Sequence, residues 1–308
     1  MIFWIFLLVV ALYLLYKVSE VVEEELVKFS EYSGITHMAV GFIFLAAATS
    51  LPELSISVSS AFLKNQEISP GVSIGNILYD LLLILPIVAI WHGLRFDEKN
   101  IKKIRLFSTI SLIALFPVVL LKSIERIYGI ALVISFIIFC RFFLQEKSNR
   151  QKSSAKEEKF KNKLVLGCSL IAISFLSFMI NLSAERIAEA TNISMLMIGS
   201  LFISIFTVSP EFFTCLAAAK KRNYDIIVGT LFGTLIFNTL FVIGVTSIIS
   251  PIFISNINQF ILLYCFLFVS LLSLILIVER KREIGIDSSV FLLMLFSLWI
   301  FLSILFGI

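Results

Sequence analysis

Charged residues and cysteines are scarce in this chain, and each shortage excludes a class of protein. Asp, Glu, Lys and Arg together make up 15% of the 308 residues, whereas an ordinary soluble domain has about 25%. Hydrophobic residues make up 59% and the mean hydropathy is +1.03, so the composition excludes a disordered chain and a soluble two-domain enzyme. The few cysteines form no CxxC pair, and a secreted disulfide scaffold is excluded. We expect all four to be small apolar packing residues: Cys140, Cys168, Cys215 and Cys265.

The chain has instead a series of apolar runs of roughly 17–25 residues, the length that crosses a bilayer as a helix. Ten runs predict ten transmembrane helices, at about 2–18, 36–63, 70–91, 104–121, 125–144, 163–182, 193–219, 225–249, 258–279 and 285–307. The first run lacks a basic leader and a small-residue cleavage site, so we expect a retained helix rather than a signal peptide. The predicted fold class is an all-α polytopic membrane protein.

Basic residues predict the orientation of these helices. When the loops are assigned alternately to two sides, 21 of the 25 Lys and Arg fall on one side and four on the other. Because cytoplasmic loops carry the excess of Lys and Arg, both termini are predicted to be extracellular. The same asymmetry accounts for the net charge of +4, so we expect the lipid bilayer and no nucleic acid as a partner. The oligomeric state stays open, and a monomer is compatible with the sequence.

The longest loop divides the chain into two units. Residues 145–162 are polar and lack apolar periodicity, which predicts a cytoplasmic linker. The linker separates an N-terminal five-helix repeat, 1–144, from a C-terminal five-helix repeat, 163–308.

An internal repeat relates the two halves at an offset of 158 residues. It aligns GFIFLAAATSLPEL (41–54) with GSLFISIFTVSPEF (199–212). The aligned polar pairs are Thr49 with Thr207, Glu53 with Glu211, and Asp80 with Asn238. Since each half has five helices, an odd number, equivalent helices cross the membrane in opposite directions. This predicts an inverted-topology repeat, which many secondary transporters use to build a midplane site between their halves.

Polar residues inside the apolar runs predict an ion site at the midplane. Pro52 and Pro210 should break or kink their helices, and the carbonyls freed there are tolerated only where they line protein or a wet cavity. Glu53 and Glu211 directly follow the breaks, and an intramembrane carboxylate is by default a functional-site hypothesis. The candidate ligands are Thr49, Ser50, Glu53, Asn76, Asp80, Thr207, Glu211, Thr234 and Asn238.

The chemistry of these ligands predicts the ions. The cluster has hard oxygen donors and no sulfur or imidazole, which favours Ca²⁺, Na⁺ or H⁺ over zinc or copper. Three carboxylates in a low-dielectric site must protonate or hold cations, and about one Ca²⁺ or two to three Na⁺ would balance them. An empty charged site is costly to move across the membrane. This favours an antiporter that needs no cofactor beyond its transported ions.

At these residues the sequence resembles the sodium/calcium exchangers of the calcium:cation antiporter superfamily, in their prokaryotic type. The motifs are ATSLPEL (48–54) with GVSIGNILYD (71–80), and FTVSPEF (206–212) with VGTLFGTLIFN (228–238). The resemblance implies a prokaryotic cell-membrane protein with ten helices, eight clustered around the site and two long ones sliding against them. It also implies Ca²⁺ export driven by Na⁺ entry, with Glu53 and Glu211 as the central Ca²⁺ ligands.

The sequence departs from the family pattern at positions that bear on the coupling ion. Asp80 stands where the first repeat usually has Asn, and Asn238 where the second usually has Asp, so the total charge is preserved. Asn76 and Thr234 replace serines and could still bind ions. Val208 replaces a serine hydroxyl, and because a methyl cannot bind Na⁺, we expect one sodium site to be weakened or lost. A proton-coupled calcium antiporter is therefore an alternative.

Two further alternatives are a degenerate, non-transporting homologue and an intramembrane aspartyl protease. The protease needs a second membrane-embedded Asp beside the first. The other aspartates, Asp97, Asp225 and Asp287, lie at or beside loops, and the chain has no GxGD motif. We therefore expect a transporter rather than an enzyme.

Overall fold

The computed structural model describes residues 2–62, 66–144, 163–188, 200–201, 204–254 and 256–305. Most of these residues are helical. In the first half the helices are α1 (Ile2–Ser33), α2 (His37–Val40), α3 (Ala46–Thr49), α4 (Leu51–Phe62), α5 (Ile68–Tyr79), α6 (Leu85–His92), α7 (Glu98–Leu121) and α8 (Arg126–Leu144). In the second half they are α9 (Lys163–Ala188), α10 (Ser204–Thr207), α11 (Ser209–Lys220), α12 (Tyr224–Ile236), α13 (Ile243–Ile249), α14 (Ile257–Lys281) and α15 (Ile286–Leu305).

Among the described residues, three complete π-helical turns interrupt these helices, and residues 200–201 are also π-helical. The turn π1 (Gly41–Leu45) joins α2 to α3, π2 (Asp80–Ile84) joins α5 to α6, and π3 (Phe237–Val242) joins α12 to α13. The turns π2 and π3 lie at equivalent positions of the repeat. Single π turns inside α-helices occur frequently at functional sites. The repeat is thus present in the backbone geometry as well as in the sequence.

The described helices account for the predicted apolar runs, each of which overlaps at least one helix. By length and composition, six described helical stretches could cross a membrane: Ile68–His92, Glu98–Leu121, Arg126–Phe143, Tyr224–Ile249, Ile257–Lys281 and Ile286–Leu305. A seventh span results if His37–Thr49 and Glu53–Phe62, bent by 47°, are taken together. Parts of the predicted run 193–219 lie outside the described residues, as does the predicted linker 145–162. The division at this linker stays a prediction.

The first helix differs from its prediction. The apolar run ends near residue 18, but α1 continues to Ser33 through the acidic stretch. Several of its acidic residues form ion pairs, among them Glu20 with Lys220 and Glu24 with Lys221. Pairing with α11 and the turn that follows it allows the helix to extend beyond its apolar part.

The two spans that contain π2 and π3 form the core. In the span Ile68–His92, 83% of the most apolar 18-residue stretch is buried inside the protein. In Tyr224–Ile249 the buried share of this stretch is 94%. In the other four long spans the buried share is between 17% and 39%. The outer helices instead expose large apolar side chains such as Ile113, Ile138 and Phe301. Such exposure is expected where hydrocarbon rather than water is the solvent.

Two equivalent glycines allow the halves to pack closely. A Cβ at Gly75 would lie 2.6 Å from the carbonyl oxygen of Ser200, and one at Gly233 would lie 2.9 Å from the Cα of Phe42. The offset of 158 residues relates Gly75 to Gly233 and Phe42 to Ser200. Each half therefore places a glycine of its central span against the broken span of the other half.

Two short sheets also join the halves. The strand β1 (Leu94–Arg95) pairs antiparallel with β4 (Glu283–Ile284), and β2 (Ser123–Ile124) pairs with β3 (Ile252–Phe253). The 24-residue helix α7 separates β1 from β2, so the sheets lie toward opposite ends of the molecule. The cross-half contacts hold the two central spans beside each other, where the candidate site lies.

Candidate ion-binding site

Both predicted helix breaks occur, and each places a glutamate at the start of a helix. The first break lies at Ser50, between α3 and α4, and Glu53 is in the first turn of α4. The second lies at Val208, between α10 and α11, and Glu211 is in the first turn of α11. Proline is tolerated in a first turn because its missing N–H would have no partner there. The partial positive charge at these helix ends favours a carboxylate or another anion.

The nine predicted ligands are all buried. None has more than 1% of its surface exposed: Thr49, Ser50, Glu53, Asn76, Asp80, Thr207, Glu211, Thr234 and Asn238. Asn76 and Thr234 lie on α5 and α12, one turn before π2 and π3. Asp80 and Asn238 lie at the starts of those two π turns. Each half thus contributes three α-helices and one π turn to the site: α3, α4, α5 and π2 from the first, and α10, α11, α12 and π3 from the second.

A chain of hydrogen bonds crosses from one half to the other at Asn76. Its amide Nδ2 donates to Oε1 of Glu53 at 2.9 Å. The hydroxyl of Thr207 donates to Oδ1 of Asn76 at 2.6 Å. Since Glu53 and Asn76 belong to the first half and Thr207 to the second, the structure brings together residues that are 131 or more positions apart in sequence.

The three predicted carboxylates interact electrostatically. Glu53 interacts with Glu211, and Asp80 interacts with both of them. The hydroxyls of Thr49 and Thr234 approach Glu211, although neither oxygen of Glu211 has a hydrogen-bond partner in the described part of the chain. The two mirror-related glutamates therefore face one polar interior rather than the lipid.

Many polar atoms of this interior have no hydrogen-bond partner among the described residues. They are Ser50 Oγ, Glu53 Oε2, Asp80 Oδ1 and Oδ2, Glu211 Oε1 and Oε2, Thr234 Oγ1, and Asn238 Oδ1 and Nδ2. In folded proteins the large majority of buried polar atoms are satisfied, and an unsatisfied one costs about 1–3 kcal/mol. Eight of the nine atoms are oxygens, the donors that Ca²⁺ and Na⁺ take as ligands. The donor set fits a hard cation.

The carboxylates do not form a metal cage by themselves. Among the residues that the structure describes, no group of three or more His, Cys, Asp or Glu side chains is arranged so that it could hold a metal ion. Because Ca²⁺ takes six to eight oxygen ligands, hydroxyls, the amide and the carbonyls at the helix breaks would have to complete its coordination.

Cys215 is buried, as expected for a packing residue. It is 1% exposed and belongs to the hydrophobic core, although it lies one turn after Glu211 on α11. The offset of 158 residues aligns it with Ser57.

Val208 lies where the sequence places it, at the second break. It is buried, and it precedes α11 without a side-chain cap. Its counterpart at the first break, Ser50, has a buried hydroxyl without a partner among the described residues. The two breaks thus differ in chemistry, since one carries a hydroxyl and the other a methyl.

Comparison with known proteins assigns the family. The model of the family described as sodium/calcium exchanger protein matches residues 3–145 and 161–305. The chain belongs to this family. This membership places it among membrane transporters rather than enzymes, and its apolar spans agree with an integral membrane protein.

Relatives and a solved structure support the family assignment. The chain is 25% identical over 232 residues to the inner membrane protein YrbG of Escherichia coli K12, covering 71% of each chain. It is 30% identical over 121 residues to the sodium/calcium exchanger MaX1 of Methanosarcina acetivorans, covering 38% of this chain and 33% of that one. A structure of the sodium-calcium exchanger NCX_Mj superposes with a TM-score of 0.82 at 24% identity, covering 97% of this chain and 98% of the other. This likeness confirms the predicted all-α fold of two inverted repeats.

Proposed function

We propose that this member of the sodium/calcium exchanger family is a secondary active antiporter that exchanges Ca²⁺ for Na⁺ by alternating access. One observation carries the proposal: Glu53 and Glu211, from opposite halves, lie in one buried interior, where Oε2 of Glu53 and both carboxylate oxygens of Glu211 lack partners among the described residues. Two membrane-buried carboxylates with unused oxygens are suited to a divalent cation. Two similar proteins, MaX1 and NCX_Mj, are themselves sodium/calcium exchangers by name, which agrees with this substrate.

The ligands divide by their geometry. Glu53 and Glu211 supply the central charge for Ca²⁺, with hydroxyls from Thr49 and Thr207 at the breaks. The remaining candidates flank this pair and would hold Na⁺: Ser50, Asn76, Asp80, Thr234 and Asn238. Asn76 is hydrogen-bonded to both Glu53 and Thr207. An ion bound to Glu53 is therefore coupled through Asn76 to Thr207 of the other half.

Charge neutrality explains why such a site exchanges ions rather than leaks them. Without cations the interior carries up to three negative charges, and moving uncompensated charge through a low-dielectric barrier is strongly unfavourable. A site loaded with Ca²⁺ or with several Na⁺ is close to neutral. The protein can then switch the side of the membrane to which the site is open. Transport in one direction then requires a counter-ion in the other.

The ion pairs support the proposed orientation, with both termini outside and the loop 145–162 in the cytoplasm. Glu20 pairs with Lys220, Arg95 with Glu283 and Arg105 with Glu279. Each pair joins residues that the excess of Lys and Arg assigns to the cytoplasmic side.

Flux through proteoliposomes tests the proposal. The purified chain should take up Ca²⁺ when the vesicles are loaded with Na⁺ and no pH gradient is present. Glu53→Gln and Glu211→Gln, which remove one ligand charge each, should reduce this uptake to the level of protein-free vesicles. Glu98→Gln is the matched control, since Glu98 is exposed and pairs with Lys102 outside the site. No Ca²⁺ uptake by the parent protein would favour the degenerate homologue, and unchanged uptake in both site variants would contradict the proposed site.

Val208 favours proton coupling as a second candidate, because it removes a hydroxyl from one break. If Na⁺ coupling survives, Val208→Ser should lower the Na⁺ concentration that gives half-maximal exchange, since the variant adds an oxygen ligand. Val208→Ala, which adds none, is the control. Ca²⁺ uptake driven by a pH gradient in Na⁺-free buffer, and unaffected by Val208→Ser, would establish the proton-coupled alternative.

A further inference from the structure

Two buried hydroxyls on the helices that carry Glu53 and Asn76 have no role in the site described above. Ser57 lies four residues after Glu53 on α4, and Ser73 lies three residues before Asn76 on α5. Both serines are fully buried, and neither hydroxyl has a hydrogen-bond partner among the described residues. A helical serine can donate to a carbonyl of the preceding turn, as Ser60 does on α4. Ser57 and Ser73 do not, so each carries a buried oxygen that needs a partner.

The hydrogen bond from Asn76 to Glu53 shows which faces of α4 and α5 meet. Residues three or four apart share a helix face, so Ser57 lies on the face of Glu53 and Ser73 on the face of Asn76. Only five residues separate α4 from α5, and the two helices pack against each other, so they run in opposite directions. Ser57 and Ser73 therefore lie at the same level, about one helical turn from the Asn76–Glu53 contact.

Glu53 has an unused oxygen at this contact. The amide of Asn76 donates to Oε1, whereas Oε2 is buried and has no partner among the described residues. Because helical side chains tilt toward the N-terminus of their helix, Ser57 leans back toward the carboxylate of Glu53. Oε2 and the two serine hydroxyls thus form a group of three unpartnered oxygens between α4 and α5. Leaving such atoms buried without a partner is unfavourable.

The other half has no equivalent group. The offset of 158 residues relates Ser57 to Cys215 and Ser73 to Leu231. Both of these residues are 1% exposed and belong to the hydrophobic core. The equivalent helices α11 and α12 also pack against each other, with a thiol and an isobutyl group at these positions. Close helix packing therefore does not require the two serines, and the difference indicates a ligand on the Glu53 side alone.

We propose that Oε2 of Glu53 and the hydroxyls of Ser57 and Ser73 bind one Na⁺. The proposal rests on the proposed function, since Glu53 belongs to the transport site. All three atoms are hard oxygen donors, which suit Na⁺. One carboxylate balances a single positive charge, whereas Ca²⁺ at the same three atoms would leave one charge uncompensated in a low-dielectric interior. Water and backbone carbonyls complete the coordination.

The consequence is competition between the two ions for Glu53. Na⁺ at this position withdraws Oε2 from the coordination of Ca²⁺ and offsets the charge that attracts Ca²⁺. Na⁺ binding on the first half thereby promotes release of Ca²⁺. The position does not use the second helix break, where Val208 offers no side-chain oxygen.

Equilibrium Ca²⁺ binding to the purified protein in detergent tests the site without requiring transport. Ser57→Ala and Ser73→Ala should each leave the Ca²⁺ affinity in Na⁺-free buffer unchanged. Each should raise the Na⁺ concentration that displaces half of the bound Ca²⁺ by roughly tenfold, with choline chloride keeping the ionic strength constant. Ser60→Ala on α4 and Ser69→Ala on α5 are the matched controls. Their hydroxyls already donate within the protein, to the carbonyl of Ser57 and the hydroxyl of Thr246, so both quantities should stay at the parent value.

Thermal melting in Ca²⁺-free buffer measures Na⁺ binding directly. Because a ligand of the folded state raises its stability by mass action, NaCl should raise the melting temperature of the parent more than that of Ser57→Ala or Ser73→Ala. Unchanged Na⁺ competition in both variants would overturn the proposal. An equal change in the two controls would also overturn it, because the effect would then follow from any serine lost on these faces. So would a loss of Ca²⁺ affinity without Na⁺, since the serines would then serve Ca²⁺ or the fold.

Flux through proteoliposomes separates this proposal from the proposed function. Weaker Na⁺ competition in the two variants, with no Ca²⁺/Na⁺ exchange by the parent protein, would refute the exchange function and leave the Na⁺ site intact. Exchange by the parent, with unchanged Na⁺ competition in both variants, would refute the Na⁺ site alone.

Discussion

At the scale of single residues, Asn76 shows how one side chain connects the two halves. Its amide nitrogen donates a hydrogen bond to Glu53, and its amide oxygen accepts a hydrogen bond from the hydroxyl of Thr207. An amide can do both with two separate atoms, since its nitrogen donates and its oxygen accepts. The sequence predicted Asn76 as a ligand from its spacing. The cross-half bridge could not be predicted, because it depends on where α10 packs against α5.

The cysteines show, at the same scale, what periodicity leaves open. Cysteine inside an apolar run is usually a packing residue, but periodicity alone cannot tell a lipid-facing position from a core position. Cys215 is buried in the hydrophobic core, whereas Cys168 and Cys265 are exposed. The tertiary structure decides which of them packs inside.

At the scale of elements, the close packing of the broken spans depends on glycine. A Cβ at Gly233 would lie 2.8 Å from the Cβ of Ala46 and 2.9 Å from the Cα of Phe42. Gly233→Ala should therefore lower the stability by about 1–3 kcal/mol, because the helices must separate to admit the methyl. The melting temperature of the purified protein in detergent checks this expectation.

Gly167→Ala is the matched control for this prediction. A Cβ at Gly167 on α9 would meet nothing within 4 Å, and alanine in a helix stabilises by about 0.4–1 kcal/mol relative to glycine. Its melting temperature should remain equal or rise. An equal loss in both variants would mean that glycine matters through helix flexibility and not through close approach.

The acidic end of α1 is held by ion pairs with α11 and the turn that follows it. Lys221 donates a hydrogen bond to Glu24 at 3.0 Å, and this contact lowers the pKa of Glu24 below its ordinary value. A carboxylate whose pKa is lowered by folding stabilises the folded state at pH values above its unfolded-state pKa. This stabilisation is lost as the pH falls through the folded-state pKa. The contact should therefore be complete at neutral pH and lost in acid.

Melting curves at several pH values check this dependence. Glu24→Gln should melt slightly below the parent protein at neutral pH, and the difference should vanish below about pH 4. The effect is small because exposed ion pairs contribute little. Glu98→Gln, which breaks a pair within one helix, serves for comparison. A difference that persists in acid would show that Glu24 acts through packing rather than through its charge.

At the scale of the whole molecule, the pseudo-twofold relation between the halves predicts that acid and amide can be exchanged. Asp80 and Asn238 occupy equivalent positions at π2 and π3, and both are buried. Asp80→Asn removes one charge and should weaken apparent Ca²⁺ affinity roughly tenfold or more. Adding Asn238→Asp restores the charge on the other side and should recover most of the affinity. Equilibrium binding measures the Ca²⁺ affinity of the single and the double variant. A double variant that binds Ca²⁺ no more tightly than Asp80→Asn would contradict the prediction that acid and amide can change places.

Much of the architecture followed from the sequence because hydrophobic period and polar repeats are local properties of the chain. The apolar runs predicted the spans, and TSLPE with its counterpart TVSPE predicted the breaks and the buried glutamates. The extension of α1 to Ser33 was missed because ion pairs with a distant helix, not hydropathy, support it. The π turns were missed because i+5 hydrogen bonds leave no distinct residue pattern.

By itself the sequence determined that this chain lies in a membrane, that it consists of two opposed halves, and that carboxylates enter the bilayer from both, Glu53 and Asp80 from the first half and Glu211 from the second. Those features depend on the hydropathy of the apolar runs and on the odd number of predicted spans in each half. Both can be read along the chain. Only the tertiary structure decided which atoms share the interior: that Asn76 joins the halves, and that oxygens of Glu53, Asp80 and Glu211 are buried without a hydrogen-bond partner among the described residues. Such proximities arise from helix packing between residues more than a hundred positions apart, which no local pattern encodes.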